Sequence, residues 1–239
     1  MDSPPQKKIP HRSLATISVV IPSVNEAVEL PATIARLRAV PEVSEIILAD
    51  GGSRDATPAL GTQLGCKVMA TPRGRGTQMR LGAQHATGDV VLLLHADTWL
   101  KPDAGRAILD ALNQTGAIGG GCWKVFREPH WLMRGSRLKC FIRFHLFHRF
   151  MGDQAMFVRR DTLEEIGGVP DVPIMEEFAL CRLLGARGKL VLAPTTVSTS
   201  ARRFKQRGVL RTYARMGWVT FQYFRGRPLD EVQRIYERG

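Results

Sequence analysis

Cysteine is scarce and scattered. The four in 239 residues (Cys66, Cys122, Cys140 and Cys181) form no C-x-x-C pair and show no metal-ligand spacing. That excludes a disulfide framework and a zinc module, and leaves free thiols of the kind found in a reducing compartment. No apolar run approaches the ~20 residues that cross a bilayer. Met1 to Ser13 contains Pro and Lys but no apolar segment of signal-peptide type, so residues 1–15 are expected as a flexible arm and the protein as cytoplasmic. Acid is in short supply: 22 Asp and Glu against 34 Lys and Arg leave a charge of +12, which calls for an anionic partner such as a nucleotide, a nucleic acid or a membrane surface. The excess is uneven, with ten basic and three acidic residues from Arg202 onward. Aromatic RNA platforms and zinc spacing are both missing, so no nucleic-acid partner is expected. Also missing is the glycine-rich, lysine-containing loop that nucleotidyl transfer would need after the first strand; Pro22-Ser23-Val24-Asn25-Glu26 stands there instead.

What is present suits an α/β protein with an ordinary core, 44% of the residues being hydrophobic. Val90 to Leu94 are five consecutive aliphatic residues, the pattern of a strand buried on both faces of a helix-covered parallel sheet. The run ends in His95-Ala96-Asp97-Thr98, where ligands of open α/β sheets sit. Asp97 there is either a metal- or phosphate-handling group or a cap for the next helix. Thr16–Pro22, Glu45–Asp50 and a weaker Cys66–Ala70 read as further strands. Helices are expected over 30–40, after Thr57, over 78–86 and over 101–114, which gives right-handed βαβ units. Arg73 to Gln78 reads as a basic glycine-containing loop able to meet a phosphate. Three strands thus lead to acids, Glu26, Asp50 and Asp97, which without a metal would repel phosphate.

Four stretches in order, Ile21–Glu26, Ala49–Thr57, Gly74–Ala83 and Leu94–Thr98, resemble the family 2 glycosyltransferases, most closely a small bacterial branch with a His-Ala-Asp metal motif. The resemblance implies a GT-A nucleotide-diphospho-sugar transferase fold with a mostly parallel central sheet, a nucleotide-sugar donor (UDP-linked), Mg2+ or Mn2+, and inverting chemistry. It implies a nucleotide site from Pro22, Asn25, Glu26, Asp50, Gly52, Ser53, Arg75, Gly76, Gln78 and Ala96. Within that site Pro22 and Glu26 shape the ribose pocket, Asp50 accepts from the base, and Arg75 lies near the base or diphosphate with Gly76 permitting close approach. Asp97 holds the metal. His95 stands at the first position of the usual D-x-D, where it binds the ion, contacts the sugar or only packs.

Downstream, Gly119–Trp123 reads as a strand. Phe141, Phe144, Phe147 and Phe150 recur every three residues among Arg137, Lys139, Arg143 and Arg149, either as a helix packing a Phe stripe on the core or as a segment resting on anionic lipid or walling a lipid-linked acceptor groove. By resemblance, Asp153 and Gln154 meet the sugar or acceptor. Asp161-Thr162-Leu163-Glu164 is a capping-box pattern. Glu176 and Glu177 open a helix, where acids favour the dipole; the resemblance makes Glu177 the catalytic base, with Glu176 in reserve. Val191–Pro194 reads as a last strand. The Q-x-x-R-W of processive members is absent after it, so transfer is expected to be non-processive, with Arg202 or Arg203 closing over the diphosphate. Residues 16–204 are therefore expected as the catalytic domain, its nucleotide half ending near residue 100. Residues 205–239 are expected as a helical extension that docks on the core or contacts a membrane or partner. The competing readings are a GT-A-like binding protein without activity and a nucleotidyltransferase.

Overall fold

Alternation along the strands decides the layering. A computed structural model describes residues 13–128, 131–133 and 135–237. The first half runs β1 (Ile17–Ser23), α1 (Leu30–Arg38), β2 (Val43–Asp50), α2 (Thr57–Gln63), β3 (Lys67–Ala70), α3 (Arg75–Gln84), β4 (Val90–Leu93), β5 (Thr98–Trp99) and α4 (Ala104–Thr115). It continues with β6 (Gly119–Phe126), α5 (Ser136–Phe147), β7 (Met156–Arg159), α6 (Arg160–Glu165), α7 (Glu176–Gly185), β8 (Leu190–Thr199), α8 (Arg202–Arg207), α9 (Val209–Phe224) and α10 (Leu229–Glu237). Successive side chains of a strand point to opposite faces. Ile17, Val19, Ile21, Val90 and Leu92 accordingly join α1 and α4 in one buried cluster. Val20, Ile47, Val91 and Leu93 join α3, α6 and α7 in another. The sheet is covered on both sides, as the aliphatic run at Val90 requires.

The eight strands lie in the order β3-β2-β1-β4-β7-β6-β8-β5. β3, β2, β1 and β4 are mutually parallel, β7 is antiparallel to both β4 and β6, β8 is parallel to β6, and β5 is antiparallel to β8. The C-terminal ends of β1, β4, β6 and β8 and the start of β7 therefore share one edge. Leu93 pairs with Met156, which brings the segment before β7 against the segment after β4.

Several local expectations are corrected. α3 starts at Arg75, inside the expected basic loop, because Gly76 lets the helix pack its first turn against the Pro170 and Val172 carbonyls. α6 begins at Arg160 without a side-chain cap; Asp161 sits inside its first turn and accepts from the Thr162 amide, so no capping box forms. β8 extends well past Pro194, because a register shift against β6 loops Pro194 and Thr195 out of the ladder. The phenylalanine stripe splits. A spacing of three drifts ~60° per step around a helix, so Phe144 packs inward, Phe141 and Phe147 face out, and the buried Phe150 lies beyond the helix. Residues 1–12 of the expected arm and Arg134 lie outside the described residues. Ala15 is held by Asp89, and Leu14 packs on the core.

Candidate functional site

The shared sheet edge opens into a cleft of about 250 Å³. Its floor comes from Pro22 in β1 and Glu26 beyond it, His95, Ala96 and Asp97 after β4, and Gly152 and Asp153 before β7. Glu177 and Met175 enter from the start of α7, and Arg75 from the start of α3. Helices α8, α9 and α10 roof it with Arg203, Arg207, Arg211, Arg215, Met216 and Tyr236 among others. The segment expected as an extension is thus part of the cleft wall.

Asp97 is held by its backbone: its carbonyl accepts from Arg127 Nη1 at 2.7 Å and from the Ser200 amide at 3.2 Å. Arg127 is steadied in turn by Glu29 at 2.7 Å and by stacking 3.7 Å over the Trp99 ring, whose centroid Arg36 also approaches to 3.6 Å. Among the described residues the Asp97 carboxylate itself receives only a long 3.4 Å contact from Thr98. Burial raises its pKa, Arg203 opposes, and Glu29 adds to the rise. Glu26 is likewise raised by burial, against Arg202 at 3.3 Å and with help from the Asp97 charge. Two acids crowd one wall without enough cation between them.

Glu177 shares Arg75 with Glu176: Arg75 Nη2 lies 2.9 Å from Glu177, and Arg75 Nε is bonded to Glu176. One guanidinium cannot fully serve two buried carboxylates. Burial lifts Glu177 to about 7, Arg75 opposing and Glu176 reinforcing. His95 lies beside it. A methyl group built on Gly152 would fall 2.1 Å from Glu177 Oε1 and 2.6 Å from His95 Nε2. Burial, with Arg75 nearby, pushes the imidazole down to about 3, so it is neutral, and its buried Nε2 has no partner among the described residues. Asp153 completes the group; burial works against its charge, but Lys124 Nζ at 2.6 Å outweighs that and its pKa falls. We expect Gly152→Ala to cost roughly 1–3 kcal/mol by overpacking, read as a lowered urea midpoint, because the added methyl must displace Glu177 or His95.

Not every expected residue faces the cleft. The Asp50 carboxylate turns into its own loop and accepts from the Gly52 amide at 3.1 Å and the Ser53 amide at 2.9 Å. Asn25, at φ 56°, accepts from the Arg54 amide and donates its own amide to Ser53 Oγ. These residues brace the two loops beside the cleft and do not line it. Gln78 is buried and ties the ends of β1 and β2 through the Ser23 and Ala49 carbonyls. Gln154 is buried against the Cys122 carbonyl and Arg143. Glu176 sits behind Arg75, Gly76 serves helix packing, and Arg202 pairs with Glu26 while its neighbour Arg203 enters the cleft. Arg75 is engaged by the two glutamates and lines the cleft. Lys124 and the roof arginines beyond Arg203 were not anticipated. Arg203, Arg207, Arg211 and Arg215 recur every four residues, a one-face helical spacing visible in the sequence.

Among the described residues no three His, Cys, Asp or Glu side chains converge as a self-sufficient metal site. Asp97, half-buried and short of donors, fits a hard cation that takes its remaining oxygens from water and a diphosphate, the usual mode for Mg2+.

The sequence model described as glycosyl transferase family 2 matches residues 18–167. The chain belongs to that family. This family 2 chain is 30% identical over 134 residues to an undecaprenyl-phosphate 4-deoxy-4-formamido-L-arabinose transferase of Pseudomonas paraeruginosa, covering 51% of the chain and 40% of the relative. It is 27% identical over 175 residues to the uncharacterized glycosyltransferase YaiP of Escherichia coli, covering 69% and 41%. The chain spans less than half the length of these relatives. Among solved structures, the mannosyltransferase PcManGT from Pyrobaculum calidifontis, in complex with GDP-Man and Mn2+, superposes with a TM-score of 0.63 at 17% identity, covering 87% of this chain and 68% of that one. S. aureus TarS 1-349 in complex with UDP-GlcNAc gives 0.60 at 14% identity, covering 77% and 58%. These likenesses establish the GT-A fold, and four of the seven strand pairings are parallel, as expected.

Proposed function

We propose that the protein is an inverting, non-processive glycosyltransferase that moves a sugar from a nucleotide-diphosphate sugar, UDP-linked in our reading, to an acceptor hydroxyl. One observation carries this: a carboxylate with a raised pKa, Glu177, and a donor-starved carboxylate, Asp97, line a single cleft at the strand ends of a family 2 fold. Glu177 takes the acceptor proton as the oxygen attacks the anomeric carbon; a single displacement inverts that centre. His95 and Gly152 set where its carboxylate points. Asp97 would hold Mg2+ or Mn2+, which would neutralise charge building on the leaving diphosphate. The roof arginines, with Arg203 foremost, supply donors to phosphate oxygens from the opposite wall. Glu26 and Pro22 shape the ribose side, while Asp50, Asn25 and Ser53 keep the base-side loops in place. Asp153, fixed by Lys124, faces the sugar or acceptor.

The TarS complex with UDP-GlcNAc supports a UDP donor, and the PcManGT complex with GDP-Man keeps GDP in the comparison. The named Pseudomonas relative supports a lipid-linked acceptor, and a small-molecule acceptor fits the same cleft. Four separate thiols, three of them buried, support a cytoplasmic setting. A thermal-shift screen of UDP-, GDP-, dTDP- and CDP-sugars with and without Mn2+ tests the reading. We expect one nucleotide to raise Tm by ~5–10 °C at a hundredfold excess over Kd, and only with the metal. No shift with any nucleotide sugar overturns the proposal.

A further inference from the structure

Helix α9 presents its faces in the reverse of the usual order. At ~100° per residue, Leu210, Trp218, Phe221 and Phe224 fall within an arc of about 120°. Arg211, Thr212, Arg215, Met216, Val219 and Thr220 occupy the other side and line the cleft. A helix on a water-facing surface turns its polar side outward; here the outward side is apolar, with Leu210 71% and Phe224 57% exposed. Helix α5 repeats the pattern. Leu138, Phe141, Ile142 and Leu146 form an outward stripe, Leu146 69% exposed, opposite the buried Ser136 and Cys140. Two cations link this region to α9: Lys139 Nζ of α5 sits 3.9 Å from the Tyr213 ring centre, and the guanidinium of Arg149, just past α5, lies 5.4 Å from that of Phe224. Together the two stripes leave eight large apolar side chains exposed, of the kind that marks an interaction site when clustered.

We propose that this α5–α9 face seats the protein on an anionic phospholipid surface. Neither helix contains an acidic residue, and the exposed Arg137, Lys139 and Arg225 border the stripes. An apolar face edged by basic residues is what interfacial binding to anionic lipid requires. A second copy of this chain would bring the same positive charge to the contact, against a net +12 on each. Half of the stripe residues, Leu138, Ile142, Leu146 and Leu210, are aliphatic, which suits acyl chains better than the stacked aromatics of a nucleic-acid platform. Seated this way, the inward face of α9 holds the cleft next to the bilayer. The inference stands apart from the donor reading, because it uses no cleft residue.

Flotation with vesicles of phosphatidylcholine, with and without phosphatidylglycerol, tests it. The protein is expected to float with the phosphatidylglycerol vesicles only, and less as salt is raised. The double variant Leu146→Glu, Phe221→Glu is expected to lose at least about tenfold in partitioning, with circular dichroism and Tm unchanged. Four results overturn the proposal: no flotation with phosphatidylglycerol vesicles at low salt, a double variant that floats like the parent, a concentration-dependent dimer that the variant abolishes, or RNA binding lost in the variant where vesicles never bind.

Discussion

Glu177→Gln is expected to lower the rate of sugar transfer by ~10²–10⁴-fold, the usual contribution of a positioned general base, while the nucleotide-sugar thermal shift survives. Gln keeps the size of the side chain and a hydrogen-bond acceptor toward Arg75, so the fold and the donor wall have no reason to change. The parent enzyme carries a matching pH signature. A base works only when deprotonated, and burial raises the Glu177 carboxyl to about 7, so kcat/KM should climb as pH rises through that value and then level off. Stability moves the other way. A carboxyl whose pKa rises on folding from 4.5 to about 7 leaves the fold unpenalised below the lower value and weakens it progressively between the two. The variant has no such group, so its Tm relative to the parent should improve as pH rises across this window. Transfer assays over a pH series, together with melts of both proteins, check the two trends at once. Unimpaired turnover in the variant removes Glu177 from the chemistry.

Asp97→Asn should produce an unusual pair of effects: a more stable protein that has lost its metal response. Burial raises the Asp97 pKa, so its charge costs folding energy at neutral pH, and the amide removes that cost. The same substitution removes a cleft-floor carboxylate that has no strong donor among the described residues, so the Mn2+-dependent part of the nucleotide-sugar shift should fall to nothing measurable. Chelating the metal from the parent protein should give the same loss without the rise in stability. Melts of parent and variant, apo and with the nucleotide sugar, with and without Mn2+, separate these outcomes. A variant that keeps its Mn2+ response moves the cation elsewhere.

Much of this was legible in the chain because it rests on local order. The aliphatic runs at Ile17, Ile46 and Val90 set strands, their punctuation set βαβ units, and acids just past the strands marked the functional edge. The placing of Glu177 in the first turn of a helix was equally local. The chain says less where a side chain's partner is distant in sequence. Gln78, Gln154 and Gly76 sit inside motif-like stretches, yet each meets backbone from another element and serves packing. Arg75, expected near the base or diphosphate, is set by the fold between two glutamates about a hundred residues away.

Sequence alone determined the family, the strand-and-helix order and the neighbourhood of the site, since hydrophobic period and turn chemistry act over a few residues. Only the tertiary structure decided which acids share a cleft and that the basic C-terminal helices roof it. It also decided that His95 and Glu177 meet across Gly152. Burial and charge pairing are properties of the assembled layers: β7 runs back beside β4, and no run of neighbouring residues records which carboxylate will be left with too few cations.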